Sequence, residues 1–302
     1  MNFRSRLQDS PGWMRFDWSA HIRDSQALGR RLRYVDVGTG SPILLLHGLG
    51  GSWQTWLQNI PALSSGYRVI AVDLPGFGKS EPLAGPVSVD DFVGALVALL
   101  DELGIGEPVV IGHSMGGLVS MRLAVTHPQR VRRLILLSAA GVELSAVRLA
   151  VINRGFAILN AFLVLPRLAR SVARHPALHR PLLRRLVFDP NALPPKLAAE
   201  VIPAMRAPGF GTALRATVHA IPRMDPAGIR CPTLVVWGDR DNILPLHAAE
   251  QFVANLDDAQ LEIIENAGHC AMFEHPDVFN ALVLHHLAEV GIPPVARGRQ
   301  VS

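Results

Sequence analysis

The sequence predicts an α/β fold: an open, mostly parallel, doubly wound sheet with a helical insertion between two of its later strands. Three observations carry this expectation. Short apolar runs recur with turn residues at both ends, at residues 43–46, 69–72, 109–111, 134–137, 234–236 and 261–264. Their hydrophobicity is continuous rather than alternating, as expected for strands covered on both faces. Helical patterns lie between them, and strand–helix alternation of this kind builds a parallel sheet.

Taken in order, "MRFDWSAHI" and "RRLRYVDVG" read as an antiparallel pair ahead of that sheet. The runs at 43–46 and 69–72 lead into glycine-rich turns, "HGLGGSWQTW" and "VDLPGFGKS". In "SVDDFVGALVALLDELG", Val89, Phe92, Val93, Leu96, Val97, Leu100 and Leu103 fall on one side at helical spacing. Ser88 is placed to cap this helix and Gly104 to stop it. A second helix is expected from about residue 115 to 127, and "PDVFNALVLHHLAE" reads as a late one with Pro276 at its first position. Residues 142–225 break the rhythm. They hold apolar helical pieces cut by Pro166, Pro176, Pro181, Pro190, Pro194 and Pro195, which are expected to end helices rather than sit inside them. The expected organisation is a core of residues 1–141 and 226–302 with a helical cap of residues 142–225 over one edge of the sheet. The tail "IPPVARGRQVS" is expected to be loose.

With 302 residues, 49% of them hydrophobic, the chain can bury a large core, and disorder is excluded. Net charge is +4, and Lys79 and Lys196 are the only lysines. The arginines between Arg148 and Arg185 are interleaved with Leu, Ala and Val, the pattern of an amphipathic surface rather than a phosphate track, so no nucleic-acid partner is expected. Cys231 and Cys270 read as buried thiols, with a single bridge left open. The N-terminal residues lack the apolar core of a secretory signal and no run reaches the ~20 residues of a spanning helix, so a soluble, cytoplasmic chain is expected. The segment "AVRLAVINRGFAILNAFLVLPRLARSVARHP" suits contact with a lipid surface, its arginines at anionic headgroups. Packing on the core is the favoured expectation for it.

The chemistry centres on "VVIGHSMGG". Here an apolar run stops at Ser114, with Gly112 two residues before it and Gly116 two after. G-x-S-x-G between a strand and a helix turns the chain so sharply that a Cβ at either glycine would collide, and it projects the hydroxyl above the carboxyl end of the sheet. A nucleophilic serine needs a base, and the base needs an orienting carboxylate. "LVVWGDRDNILP" offers Asp239 and Asp241. Asp241 lies further along the loop towards the serine and is the chosen acid, whereas Asp239 can bond locally. "LEIIENAGHCAMFEHP" offers His269 as base, with His275 better placed at a helix start. An oxyanion needs two backbone amides, expected from Leu49 and Met115, with His47 buttressing the first loop.

Together "HGLGGSWQTW", "VIAVDLPGFGKSEP", "GHSMGG", "WGDRDNILP" and "NAGHCAMFEHP" resemble the α/β-hydrolase fold superfamily, from about Tyr34 to about Leu287. The helical insertion falls where that superfamily carries its cap. The resemblance implies Ser114 as nucleophile, Asp241 as acid, His269 as base and the Leu49 and Met115 amides as oxyanion hole, with no cofactor and no metal. "GFGKS" is not a phosphate loop, because Asp73 stands where the first glycine is required. Relatives that open epoxides or displace halides attack through aspartate at the elbow, which Ser114 excludes here, while perhydrolase chemistry stays open as a side activity.

The leading expectation is a carboxylesterase acting on small esters with apolar acyl or alcohol parts, through an acyl-enzyme under an apolar cap. The first alternative is carbon–carbon bond hydrolysis of meta-cleavage (ring-fission) products. Relatives of that kind carry a G-x-G-P-G-type loop and a nearby asparagine, from which "HGLGGSWQTW" departs. A non-catalytic ligand-binding module on the same fold is the second alternative. The sequence is silent on oligomeric state.

Overall fold

The computed structural model describes residues 12–142, 154, 155, 171, 172, 174–191, 193–292 and 294. Its sheet has eight strands: β1 Ile22–Ser25, β2 Leu32–Val37, β3 Pro42–Leu46, β4 Arg68–Val72, β5 Val109–His113, β6 Arg133–Leu137, β7 Thr233–Gly238 and β8 Ala259–Ile264. They lie in the order β1-β2-β4-β3-β5-β6-β7-β8. β1 and β2 pair antiparallel, β2 meets β4 antiparallel, and every later pair is parallel.

The helices used below are α1 Val89–Glu102, α2 Met115–Thr126, α3 Pro176–Leu183, α4 Pro195–Ala204, α5 Phe210–Ala220, α6 His247–Ala254 and α7 Pro276–Glu289. Ser88 opens α1 with a reciprocal capping box through Asp91, and Gly104 follows its end at φ +64°, a conformation that costs glycine little. From β3 the chain crosses to β4 on one side and later to β5 on the other. The crevice of such a sheet opens where the order reverses, at the carboxyl ends of β3 and β5. β5 runs two residues beyond its apolar stretch because Gly112 pairs with Leu46 and His113 with Leu137. The sheet's register therefore carries the chain to the threshold of Ser114.

Three expectations need correction. The first strand is Ile22–Ser25, not the whole of "MRFDWSAHI". Ahead of it the chain curls through short 3₁₀ turns in which the Trp18 indole donates to the Trp13 carbonyl at 3.0 Å and Phe16 stacks between Trp18 and His21. Clustering of aromatic rings prevails over extension there. β8 lies at the edge of the sheet and is not covered on both faces, and its Ile263 is 44% exposed. Pro181 sits inside α3 rather than ending it, and Pro203 likewise lies within α4. The amide missing at Pro181 would have bonded the Ala177 carbonyl, and both residues face solvent, where water can take that carbonyl.

Helices α3, α4 and α5 occupy the stretch between β6 and β7. Pro166 and most of the segment considered for a lipid surface lie outside the described residues. Among the described residues no helix is long and apolar enough to cross a membrane. The start of the C-terminal tail is anchored, since the Tyr67 hydroxyl donates to the buried Ile292 carbonyl at 2.8 Å. Both cysteines are free thiols, Cys270 buried and Cys231 partly so.

Candidate active site

Ser114 occupies φ 52°, ψ −117°, a backbone conformation that a residue with a Cβ rarely adopts. The surroundings enforce it. Its N–H donates to the Leu137 carbonyl at 3.1 Å, and its own carbonyl accepts from Gly117, Leu118 and Ala140. A Cβ at Gly112 would stand 2.5 Å from the Gly116 carbonyl oxygen, and one at Gly116 would stand 2.4 Å from the Leu46 carbonyl oxygen. Both glycines are thus required by backbone, which cannot swing aside as a side chain could.

The β7 and β8 loops supply the other partners. Asp241 and His269 are joined by a 2.8 Å contact between Asp241 Oδ2 and His269 Nδ1, both side chains being almost fully buried. The second carboxylate oxygen accepts from the amides of Ile243 at 2.8 Å and Leu244 at 2.9 Å. The carboxylate is thereby held from both sides and fixes the imidazole with its proton on Nδ1, leaving Nε2 as acceptor. Asp239 is used elsewhere. It accepts from the Ala267 amide at 3.3 Å and pairs with Arg240, so it tethers the loop that carries His269 without touching the ring. His275 reaches the Asn266 carbonyl from an exposed position.

The loop after β3 is braced by His47. Its Nδ1–H donates to the Gly48 carbonyl at 2.7 Å, and its Nε2 accepts from the Leu74 amide at 3.0 Å. Full burial lowers its pKa to about 4, so the ring is neutral and acts as a strut. Asp73 braces the same loop by accepting from the Trp53 and Lys79 amides, each at 2.8 Å. Burial raises its pKa to about 6. Lys79 and Ser80 belong to the turn around this carboxylate. Among the described residues the Leu49 and Met115 amides have no protein acceptor.

Two residues in this region were not singled out from sequence. His113 precedes the serine, and its Nε2–H donates to the His269 carbonyl at 3.0 Å. The two rings lie 4.8 Å apart. Burial, and then the neighbouring His269, hold the His113 pKa well below the ordinary value. Glu274, five residues after His269, accepts from the Gly268 amide at 2.7 Å and from the Asp189 amide at 2.8 Å. Its carboxylate ties the segment after α3 to the loop of His269, and the Cys270 amide adds a bond to the Leu186 carbonyl at 2.9 Å. The histidine in "GHSMG" and the glutamate in "HCAMFEHP" were the available signals, but a burial-dependent hydrogen bond leaves no spacing pattern.

Ser114 and His269 line one cavity of about 50 Å³. The Gly48–Ser52 loop and Thr55 form one wall. Leu186, Val201, Met205, Met272 and Phe273 form the apolar remainder. The buried Ser52 hydroxyl has no protein partner among the described residues, which leaves it open to a ligand.

A strained serine at the switch point of the sheet and a buried His–Asp pair beside it are the features of an acyl-transfer hydrolase. The chain belongs to the alpha/beta hydrolase fold family, whose pattern it matches over residues 41–276, and it is a hydrolase of that fold. It is 30% identical over 283 residues to 2-hydroxy-6-oxononadienedioate/2-hydroxy-6-oxononatrienedioate hydrolase 2 of Pseudomonas putida, a match covering 89% of this chain and 95% of that one. It is 34% identical over 268 residues to the dihydrolipoyllysine-residue acetyltransferase component of the acetoin cleaving system of Pseudomonas putida, covering 86% of this chain and 67% of that one. The solved structure of a meta-cleavage product hydrolase from Pseudomonas fluorescens IP01 superposes with a TM-score of 0.71 at 27% identity, covering 90% of this chain and 99% of that one.

Proposed function

We propose that the chain hydrolyses the carbon–carbon bond beside a ketone in ring-fission products of the 2-hydroxy-6-oxo-dienoate class. The likeness to a hydrolase of such compounds along nearly its whole length supports this substrate class over simple esters. In this reading Ser114 Oγ attacks the carbonyl carbon while His269 Nε2 takes its proton, and Asp241 stabilises the imidazolium that forms. The Leu49 and Met115 amides receive the developing oxyanion, each contributing about 10²–10³ in rate. Before the attack the dienol takes its keto form, the 2-hydroxyl proton moving to C5. After it the C5–C6 bond breaks, its electrons run through the C3–C4 double bond into the 2-oxo group, and His269 returns the proton to that oxygen to leave a 2-hydroxydienoate. Water hydrolyses the remaining acyl-enzyme by the same base. Residues 142–225 act as the cap that closes this site, and Ser52 supplies a hydroxyl to the polar part of the substrate.

One observation favours ester hydrolysis as a second reading. No carboxylate-binding arginine or lysine lines the cavity among the described residues, and its larger part is apolar. A dienoate needs a partner for its charge, whereas an apolar ester does not. The deciding experiment follows loss of the yellow dienol-keto acid chromophore beside release of p-nitrophenol from short and medium esters. The proposal expects kcat/KM for the ring-fission substrate to exceed that for the best ester at least about tenfold. The reverse ranking would replace it with the ester reading, and loss of both activities in Ser114→Ala is expected in either case.

A further inference from the structure

A second depression lies away from the one that holds Ser114 and shares no lining residue with it. It is a groove of about 470 Å³ where α5 and the turn after it cross the start of α1 and the middle of α2. This volume falls within the range of small-molecule pockets. Its floor is apolar, made by Val89, Leu118, Ala216 and Met224. Its rim carries three arginines, one histidine and the Asp90 carboxylate. Arg215, His219 and Arg223 are spaced by four residues and so line one side, and Arg122 faces them from α2.

The charges are unequally matched. Arg122 is bound by Asp90, with contacts of 2.5 and 3.1 Å. Arg215 spends one N–H on the Thr212 hydroxyl at 3.4 Å, and Arg223 spends one on the His219 carbonyl at 2.6 Å. Among the described residues no carboxylate pairs with either guanidinium. A guanidinium presents five donors in a planar fork that suits a carboxylate. We infer that this groove is a binding site for an organic carboxylate with an apolar body, its carboxylate held at the rim by one of the two guanidiniums, Arg215 or Arg223, which lie about 12 Å apart along the chain's helical rise, and its hydrocarbon laid on the floor between α1, α2 and α5. Neither arginine belongs to the machinery assigned around Ser114, so the site is independent of turnover.

Octanoate is the probe, titrated calorimetrically into the wild type and into Arg215→Ala/Arg223→Ala. Removing both guanidiniums, and with them the charge-assisted contact, is expected to weaken binding about tenfold, with turnover and the circular dichroism melt unchanged. Arg215→Lys/Arg223→Lys is expected to lie between the two, because it keeps the charge and loses the fork. Wild-type binding should also weaken with added salt. Unchanged affinity in the alanine variant would overturn the assignment, since octanoate would then be held elsewhere. Equal affinity for 1-octanol would overturn the role of charge, and equal affinity for inorganic phosphate would overturn the role of the apolar floor. Should the alanine variant fold poorly, Arg215→Gln and Arg223→Gln are read singly, and unchanged affinity in both would overturn the assignment.

Discussion

The choice between two neighbouring aspartates can be tested by one atom's change at each. In Asp241→Asn the side-chain oxygen can stay with the Ile243 and Leu244 amides, which hold Oδ1 at 2.8 and 2.9 Å. The new NH₂ group then faces His269 Nδ1 where a carboxylate oxygen now lies at 2.8 Å. Two donors cannot share that contact, so the imidazole must move its proton to Nε2, the nitrogen required to accept the serine proton. Trapping a triad histidine in the wrong tautomer costs about 10⁴ in kcat. The stability cost is smaller, about 1–2 kcal/mol, because the two amide bonds survive. Asp239→Asn leaves the Asp241–His269 contact in place and disturbs only the Ala267 tether and the pair with Arg240. Its kcat should fall less than about tenfold, because no transition-state contact is lost. Stopped-flow or steady-state kcat on the better of the two substrates, with urea melts as a fold control, reads both variants. Equal losses, or a larger loss at Asp239, would refute the reasoning about which acid serves the base.

Three further outcomes follow from the braces around the site. Gly116→Ala would bring a methyl to 2.4 Å from the Leu46 carbonyl oxygen and 2.6 Å from that of His47. A loss of about 3 kcal/mol in urea denaturation is expected, and a neutral effect would show the elbow to be softer than drawn. Glu274→Gln sets an NH₂ group against either the Gly268 or the Asp189 amide. A loss of about 1–2 kcal/mol is expected, with a fall in kcat that Glu274→Asp does not restore, because the shorter side chain cannot span both loops. His47 is neutral in the fold at a pKa of about 4, so the unfolded chain binds more protons between that value and 6.5. Its contribution to stability is therefore lost as pH falls through this window, by about 3 kcal/mol in all. Asp73, raised to about 6, works in the opposite direction between 3.8 and 6. His47→Gln should accordingly raise stability at about pH 4.5 relative to pH 7 by roughly 2–3 kcal/mol compared with the wild type, and an unchanged pH dependence would contradict the buried neutral ring.

The sequence was most informative where one physical constraint acts alone. Strands β3, β4, β6 and β7 begin and end within a residue or two of their apolar runs, because burial on both faces demands continuous hydrophobicity. The turn at Ser114 was legible because backbone crowding leaves only glycine at 112 and 116. Legibility failed where several weak forces compete. The aromatic cluster of Phe16, Trp18 and His21 curls a segment that alternates like a strand, and solvent exposure lets Pro181 stay in a helix that burial would have ended. His113 and Glu274 were overlooked because their importance lies in which carbonyl or amide they meet, a matter of tertiary approach across more than a hundred residues for His113 and of loop docking for Glu274.

Turnover at this site depends on Ser114 being a nucleophile activated by His269. Intact-protein mass spectrometry after treatment with a fluorophosphonate, followed by peptide mapping, tests this directly. One adduct per chain is expected, located on Ser114 and abolished in His269→Ala. A chain that stays unlabelled, or that carries the adduct on another side chain, would contradict it.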